Sequence, residues 1–415
     1  MKSPERSSSI PARSYKRGER IQVIDFFSGC GGMSYGFKTV KARNVKYKIL
    51  GGVDIDPYAN HTFQRMLECE PLNTDIRKLV RGSALHETLS RWHFSEKDPL
   101  LVIGCSPCQG FSSHQKRFSG KDDRNALLLT FARILRRLRP ELIVMENVPE
   151  ILYEQYWEYF AAWRRMMTTD GYSVRVKIYN LAQFGVPQER FRVLVIASRD
   201  WSHFRMPVPT HRPDRFVTVR QAIGHLPPLE AGGINPDDPM HLTSKHRPET
   251  IKLLKLIPPD GGGKRDLPAG FGPDCLKVDG FRDVYGRMKW DLPANSITTR
   301  CRTPSAGRYA HPEQHRGLSV REAALLQGFP PEYFFEGPFD DKFKQIGNAV
   351  SPMFSKAIAS HIDSEWTRDH TRPLDHSGDI TEPIRKSFSS TIASLKRHMR
   401  EKEYGGDIGT LLDAV

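Results

Sequence analysis

From residue 21 onward the chain alternates short apolar runs with stretches of helical spacing. IQVIDFF (21–27), YKILGGVDI (47–55), PLLVIGC (99–105) and ELIVMEN (141–147) are strand-length and largely apolar, as strands covered on both faces must be. Helical periodicity lies between and after them, at about 57–69, 124–138 and 153–169. The pattern predicts a βαβα order and a mostly parallel, doubly covered sheet. YSVRVKIYN (172–180) and FRVLVIAS (191–198) predict two more strands. After Ser198 the texture becomes rich in Pro, Gly and scattered His up to about residue 318, which predicts a loop-rich second domain. Regular pattern returns in LSVREAALLQGF (318–329) and in a helix at about 351–362, and the polar end carries one more candidate helix near 383–401. The expected divisions are a flexible arm (1–20), an α/β domain (21–198, completed by 319–365), the loop-rich domain (199–318) and a polar extension (366–415).

Charge sharpens this picture more than composition does. Lys and Arg number 62 against 48 Asp and Glu, a net +14, and the excess concentrates in residues 1–20, 110–140 and 199–320. Such placement suits a face that binds phosphates, although a solvated surface is the plainer alternative. No apolar run approaches the ~20 residues of a membrane span, so no membrane partner is expected. The basic, Ser-rich first 20 residues lack the apolar core of a secretory leader. Six cysteines (30, 69, 105, 108, 275 and 301) are too sparse for a disulfide scaffold and suit a reducing, cytoplasmic setting. The single C-x-x-C, Cys105 with Cys108, has no second pair after it, so no metal site is expected.

Unusual residues sit at the predicted strand ends, where an open α/β sheet forms its ligand crevice. DFFSGCGG (25–32) places glycines directly after the first strand, allowing a tight turn and close approach to a ligand. Ser34 stands where a dinucleotide fingerprint needs its third glycine. In VDIDP (53–57), Asp54 is positioned to accept hydrogen bonds from ribose hydroxyls, while an Asp before Pro57 also suits a helix cap. GCSPCQGFS (104–112) offers Cys108 as a nucleophile once nearby positive charge favours the thiolate; alone, a cysteine there is more often a buried structural thiol. MENVPE (145–150) ends the next strand with Glu146 and Asn147, beside Cys108 in the usual sheet order. There Glu146 could exchange a proton with a base or simply precede the Pro149 turn.

Together with VPQERFRVLVIAS, LSVREAALLQGFP and QIGNAVSP, these segments resemble the ordered motif series of C5-cytosine-specific DNA methyltransferases of the bacterial restriction-modification type, over residues 21–198 and 290–361. The resemblance implies a Rossmann-like, S-adenosylmethionine-dependent α/β sheet with a smaller loop-rich target-recognition domain at 199–318. It implies that Cys108 adds to carbon 6 of a flipped-out cytosine, and that Glu146 binds the ring N3 and exocyclic amine. Arg190 and Arg192 match paired arginines near the target base; alternatively they are charges alternating along an exposed strand. S-adenosyl-L-methionine, leaving as S-adenosyl-L-homocysteine, would contact Phe26, Gly29, Gly31, Gly32, Asp54, Ile55, Asp75, Ile76, Pro107, Leu127 and Asn348. Residues 110–125 resemble a loop that closes over DNA. The implied partner is double-stranded DNA, with the enzyme a monomer and a separately encoded cognate restriction endonuclease as its counterpart. Rival readings are a tRNA cytosine-5 methyltransferase, a catalytically silent DNA-binding protein and a nicotinamide-dependent oxidoreductase. The long recognition-like region, the full set of expected catalytic residues and the broken glycine fingerprint weigh against them in turn.

Overall fold

The structure, a computed structural model, describes residues 16–106, 126–199, 204–268, 283–367, 379–385 and 390–394. Its centre is a seven-stranded sheet of β1 (Glu19–Phe26), β2 (Val45–Asp54), β3 (Leu72–Asn73), β4 (Leu100–Gly104), β5 (Leu142–Asn147), β6 (Ser173–Asn180) and β8 (Phe191–Ser198). The spatial order is β3-β2-β1-β4-β5-β8-β6. Every pairing is parallel except those of β8, which runs antiparallel to both β5 and β6. A two-residue strand, β7 (Gln188–Glu189), pairs in parallel with β9 (Ala294–Asn295) outside this sheet.

The apolar runs are explained by cover on both faces. Along β1 and β4, Ile24, Phe26 and Val102 enter one core, and Ile21, Val23, Leu101 and Ile103 enter the other. The first core is closed by α4 (Ala126–Leu138) and α5 (Trp157–Thr169), through Phe131, Leu135, Phe160 and Trp163. The second is closed by α1 (Gly32–Thr39) and α10 (Pro352–Trp366), through Met33, Phe37, Phe354 and Ile362. Each fully buried aliphatic side chain contributes about 1.5–3 kcal/mol, so this three-layer sandwich supplies most of the rigidity beneath the strand ends.

The remaining helices are α2 (Pro57–Leu67), α3 (Ala84–Arg91), α6 (Val219–Ile223), α7 (Pro248–Leu256), α8 (Val320–Gln327) and α9 (Phe339–Asn348). Local chemistry sets several of their ends. Asp56 caps α2 by accepting from the Tyr58 and Ala59 amides, with Pro57 at the first position. Ser319 and Glu322 form a capping box at the start of α8, which stops at left-handed Gly328. The periodicity did not predict α1, whose start is glycine-rich, or α9, which buries only a narrow face through Phe343 and Ile346.

The region after Ser198 has little core of its own. Phe204 and Met206 pack into the sheet core, while Val219, Ile223, Met288 and Trp290 share a cluster with Leu326, Phe329, Tyr333 and Ile346. At the polar end, the helix expected near 383–401 does not extend over residues 383–385. These residues are extended, and Ile384 bridges in parallel to Tyr153. Residues 390–394 are helical. Ile380 and Ile384 are buried in the first core, and the Ile380 amide donates to the Val176 carbonyl at 3.1 Å. Their apolar contacts and the free edge of β6 draw this segment onto the sheet. Among the described residues no helix is long and apolar enough to cross a membrane.

Candidate active site

The parallel strands β1, β2, β4 and β5 end on one edge, which is where such a sheet opens a crevice. At the end of β1 the backbone turns sharply. Phe27 (φ 58°), Gly29 (φ 51°) and Gly31 (φ 85°) are left-handed. A side chain at Gly32 would place its Cβ 2.4 Å from the Val350 carbonyl oxygen, so only glycine permits this approach of α1 to the chain entering α10. Beneath the turn, Asp25 is buried and accepts from Ser34 Oγ at 2.6 Å. Burial pushes its carboxyl up to about 7, against the Ser34 hydrogen bond, with further help from the nearby Asp54 charge.

The two aspartates at the end of β2 and just beyond it divide the work. Asp54 Oδ2 accepts from the Gly29 amide and Oδ1 from the Asp56 amide, both at 2.9 Å, stitching the glycine turn to the end of β2. Burial raises its carboxyl, while these amides pull it down. Asp56 caps α2 and takes Lys344 Nζ of α9 at 2.6 Å. Burial opposes ionisation there, but the Lys344 charge and the cap amides hold the Asp56 carboxyl below the usual range. Between them Ile55 is 68% exposed, an apolar side chain standing open at the strand end.

The other expected cofactor contacts fall in several settings. Phe26 is buried against Phe131, with ring centres 5.6 Å apart, so its side chain supports the crevice floor. Asp75 caps the short turn Ile76–Leu79 and pairs with Arg77, and Ile76 is buried. Leu127 is half-buried in the first turn of α4. Asn348 is exposed at the C-terminus of α9. Pro107 and Cys108, with the 110–125 loop, lie outside the described residues.

Glu146, at the end of β5, is 1% exposed. Its Oε1 lies 3.0 Å from Arg192 Nε, and its Oε2 accepts from the Cys105 thiol at 3.1 Å. Next along the chain, Asn147 Nδ2 donates to Ser106 Oγ at 2.8 Å. Two side-chain contacts thus tie the last residue of β5 and its neighbour to the segment leading into Cys108. The arginine pair expected from QERFR separates. Arg192 reaches Glu146, whereas Arg190 is buried and donates to the carbonyls of Ile297 (2.7 Å) and Gly347 (3.0 Å). Neither arginine is exposed, so the alternative of charges alternating along an exposed strand fails. Gln188 completes the tie, donating to Gln327 Oε1 and Leu326 O and accepting from the Ile297 amide.

Sequence reasoning missed Cys105, Ser106, Gln188 and Lys344. The C-x-x-C spacing drew notice to Cys105 only as a metal candidate. The other three act through partners far away in the chain, which no local pattern announces.

The model of the family "C-5 cytosine-specific DNA methylase" matches residues 21–364. A type II methylase of Herpetosiphon aurantiacus, M.HgiDII, is 34% identical over 347 residues, covering 82% of this chain and 94% of that protein. The type II methyltransferase M1.HphI of Haemophilus parahaemolyticus is 32% identical, covering 82% of this chain and 86% of its own. Among solved structures, a prophage-encoded DNA modification methyltransferase (E. coli) is similar in fold, with TM-score 0.58 at 22% identity, covering 82% of this chain and 98% of that one.

Proposed function

The chain belongs to the C-5 cytosine-specific DNA methylase family and is a DNA (cytosine-5-)-methyltransferase; from that premise we propose which of its residues carry the reaction. The observation that carries the proposal is Glu146, a buried carboxylate ion-paired to Arg192 at the strand end beside the one leading into Cys108. Among the described residues its Oε1 receives no hydrogen bond, despite the nearby Arg192 charge. A buried acceptor with capacity to spare suits the exocyclic amine and N3 of a cytosine.

The target base leaves the helix to reach this pocket. Cys108 adds as the thiolate to carbon 6, so that carbon 5 gains electron density and takes up the methyl group. Carbon 5 then gives its proton to solvent, and the electron pair of that bond restores the C5–C6 double bond as the carbon–sulfur bond breaks, freeing Cys108 as the thiolate. Glu146 offsets charge on the ring during attack, and Arg192 holds Glu146 in place. Arg190 acts at a distance, fastening the chain at 297 and 347 to the strand that carries Arg192.

The crevice fits S-adenosyl-L-methionine. The glycine turn at 29–32 leaves room at Gly29 for a ligand's methionine end, and each Asp54 oxygen retains accepting capacity for ribose hydroxyls. Exposed Ile55 offers an apolar surface to an adenine ring, with Asp75 and Ile76 beyond it. Pro107, Leu127 and Asn348 would complete the pocket, and Phe26 would support it from beneath. When bound, the cofactor supplies an electrophilic methyl group on sulfonium sulfur.

Residues 199–318 would read a specific double-stranded sequence through the major groove. The enzyme would act as a cytoplasmic monomer, opposed to a separately encoded restriction endonuclease. Bisulfite sequencing of DNA from cells expressing the chain tests this reading, with methylcytosine expected at one recurrent sequence. Cys108→Ser is expected to abolish transfer of tritiated methyl to unmethylated plasmid DNA while DNA and cofactor affinity persist. Transfer at the wild-type rate would overturn the nucleophile assignment.

A further inference from the structure

Cys105 stands one residue past Gly104, which pairs with Met145 in the parallel register of β4 and β5, so it follows the sheet out beside Glu146. Its amide is held by the Phe26 carbonyl at 3.3 Å, and Ser106 beyond it is held by Asn147. The thiol is therefore fixed from both sides, and it meets Glu146 Oε2 at 3.1 Å. Arg192 meets the other oxygen. The two contacts differ in kind: Arg192 supplies charge to Oε1, whereas Cys105 supplies a directed hydrogen bond to Oε2.

We propose that Cys105 is a positioning residue for methyl transfer, its thiol fixing the plane of the Glu146 carboxylate so that the oxygen paired with Arg192 keeps its accepting capacity for the base. The inference rests on the reading of Glu146 given above. An S–H group is a weak donor, which suits the task. It orients the carboxylate in the free enzyme, yet competes poorly when the amine of a cytosine arrives. An apolar residue would let the carboxylate rotate about its terminal torsion, which is broad and soft.

The test uses the full chain, unmethylated plasmid DNA and tritiated S-adenosylmethionine. Cys105→Ala is expected to lower kcat about tenfold, the worth of one hydrogen bond to a charged group, with KM for DNA and cofactor within about twofold of wild type. Cys105→Ser restores a donor and is expected to regain most of the lost kcat. In a Glu146→Gln background, Cys105→Ala is expected to cause no further loss. A Cys105→Ala enzyme with wild-type kcat overturns the inference. So does a serine variant as slow as the alanine one, or a full additional loss in the Glu146→Gln background. A kcat loss that tracks a lowered unfolding midpoint instead of the donor also overturns it. Failure of the underlying reading gives a different result, namely Glu146→Gln transferring methyl at the wild-type rate.

Discussion

The sheet and the region that follows it solve the same problem by different means. Strands β4 and β5 are wholly buried, and their backbone groups are satisfied by the ladder, so apolar side chains suffice. The described part of 199–318 contains only two short α-helices, α6 and α7, and its carbonyls must find donors elsewhere. Beside backbone amides, arginines supply many of them. Arg287 donates to the carbonyls of Leu254, Ile257, His311 and Gln314. Arg308 donates to Gly261 and Arg287, and Arg316 to Leu229 and Gly317 while pairing with buried Glu322. A guanidinium carries five donors in a rigid fork, so one side chain can replace several rungs of a ladder. A loop-rich region therefore need not be loose.

If the sheet carries the chemistry and the basic region binds DNA, as proposed above, the largest expected effect tests that division. Affinity for DNA should fall on the order of 10³-fold between 50 and 200 mM salt as counterions compete, while single-turnover methyl transfer on bound DNA changes little. A flat salt response would break the division. Next in size, Arg287→Met should strand several buried carbonyls and destabilise the protein by about 3–5 kcal/mol in denaturant unfolding, with DNA affinity impaired before cofactor binding. Equal loss of both would mean that the two regions unfold as one.

The smallest effect is a difference in pH response. The folded carboxyl of Asp25 is raised to about 7, so the folded state holds its proton more tightly, and the sheet loses stability as pH rises from about 4 towards 7. In the other region, burial lowers His311 to about 4; Glu322, at the start of α8 where Arg316 of that region reaches it, is despite its burial lowered to about 2 by Arg316. Both groups contribute stability that is lost as pH falls, His311 between about 6.5 and 4 and Glu322 below about 4.5. Each slope approaches about 1.4 kcal/mol per pH unit at most. Hydrogen exchange, corrected for intrinsic rates, should show sheet protection improving and loop protection declining from pH 7 to 5. Parallel behaviour would refute the contrast.

Much of this was legible in the chain. The apolar runs gave six of the seven strands of the sheet within a residue or two, because burial on both faces leaves few polar positions; the two-residue β3 has no such run. The Asp-Pro step announced the cap of α2, since caps act within one helical turn, and the helical spacing of LSVREAALLQGF announced α8. The fate of QERFR was not legible. Arg190 and Arg192 are two residues apart, yet one holds Glu146 and the other holds chain from 297 and 347. The polar composition of the end of the chain likewise hid Ile380 and Ile384, whose burial depends on the open edge of β6.

The sequence by itself determined the layered α/β architecture, because hydrophobic periodicity and turn residues act over a few positions, and pointed to the kind of chemistry at the strand ends through the resemblance of its motifs to a known family. Only the tertiary structure decided how those residues are shared out. Asp54 joins Gly29 across 25 positions, Cys105 joins Glu146 across 41, and Arg190 joins Gly347 across 157. Such pairings follow from strand order and the antiparallel turn of β8, and these arise from packing the whole chain around one sheet.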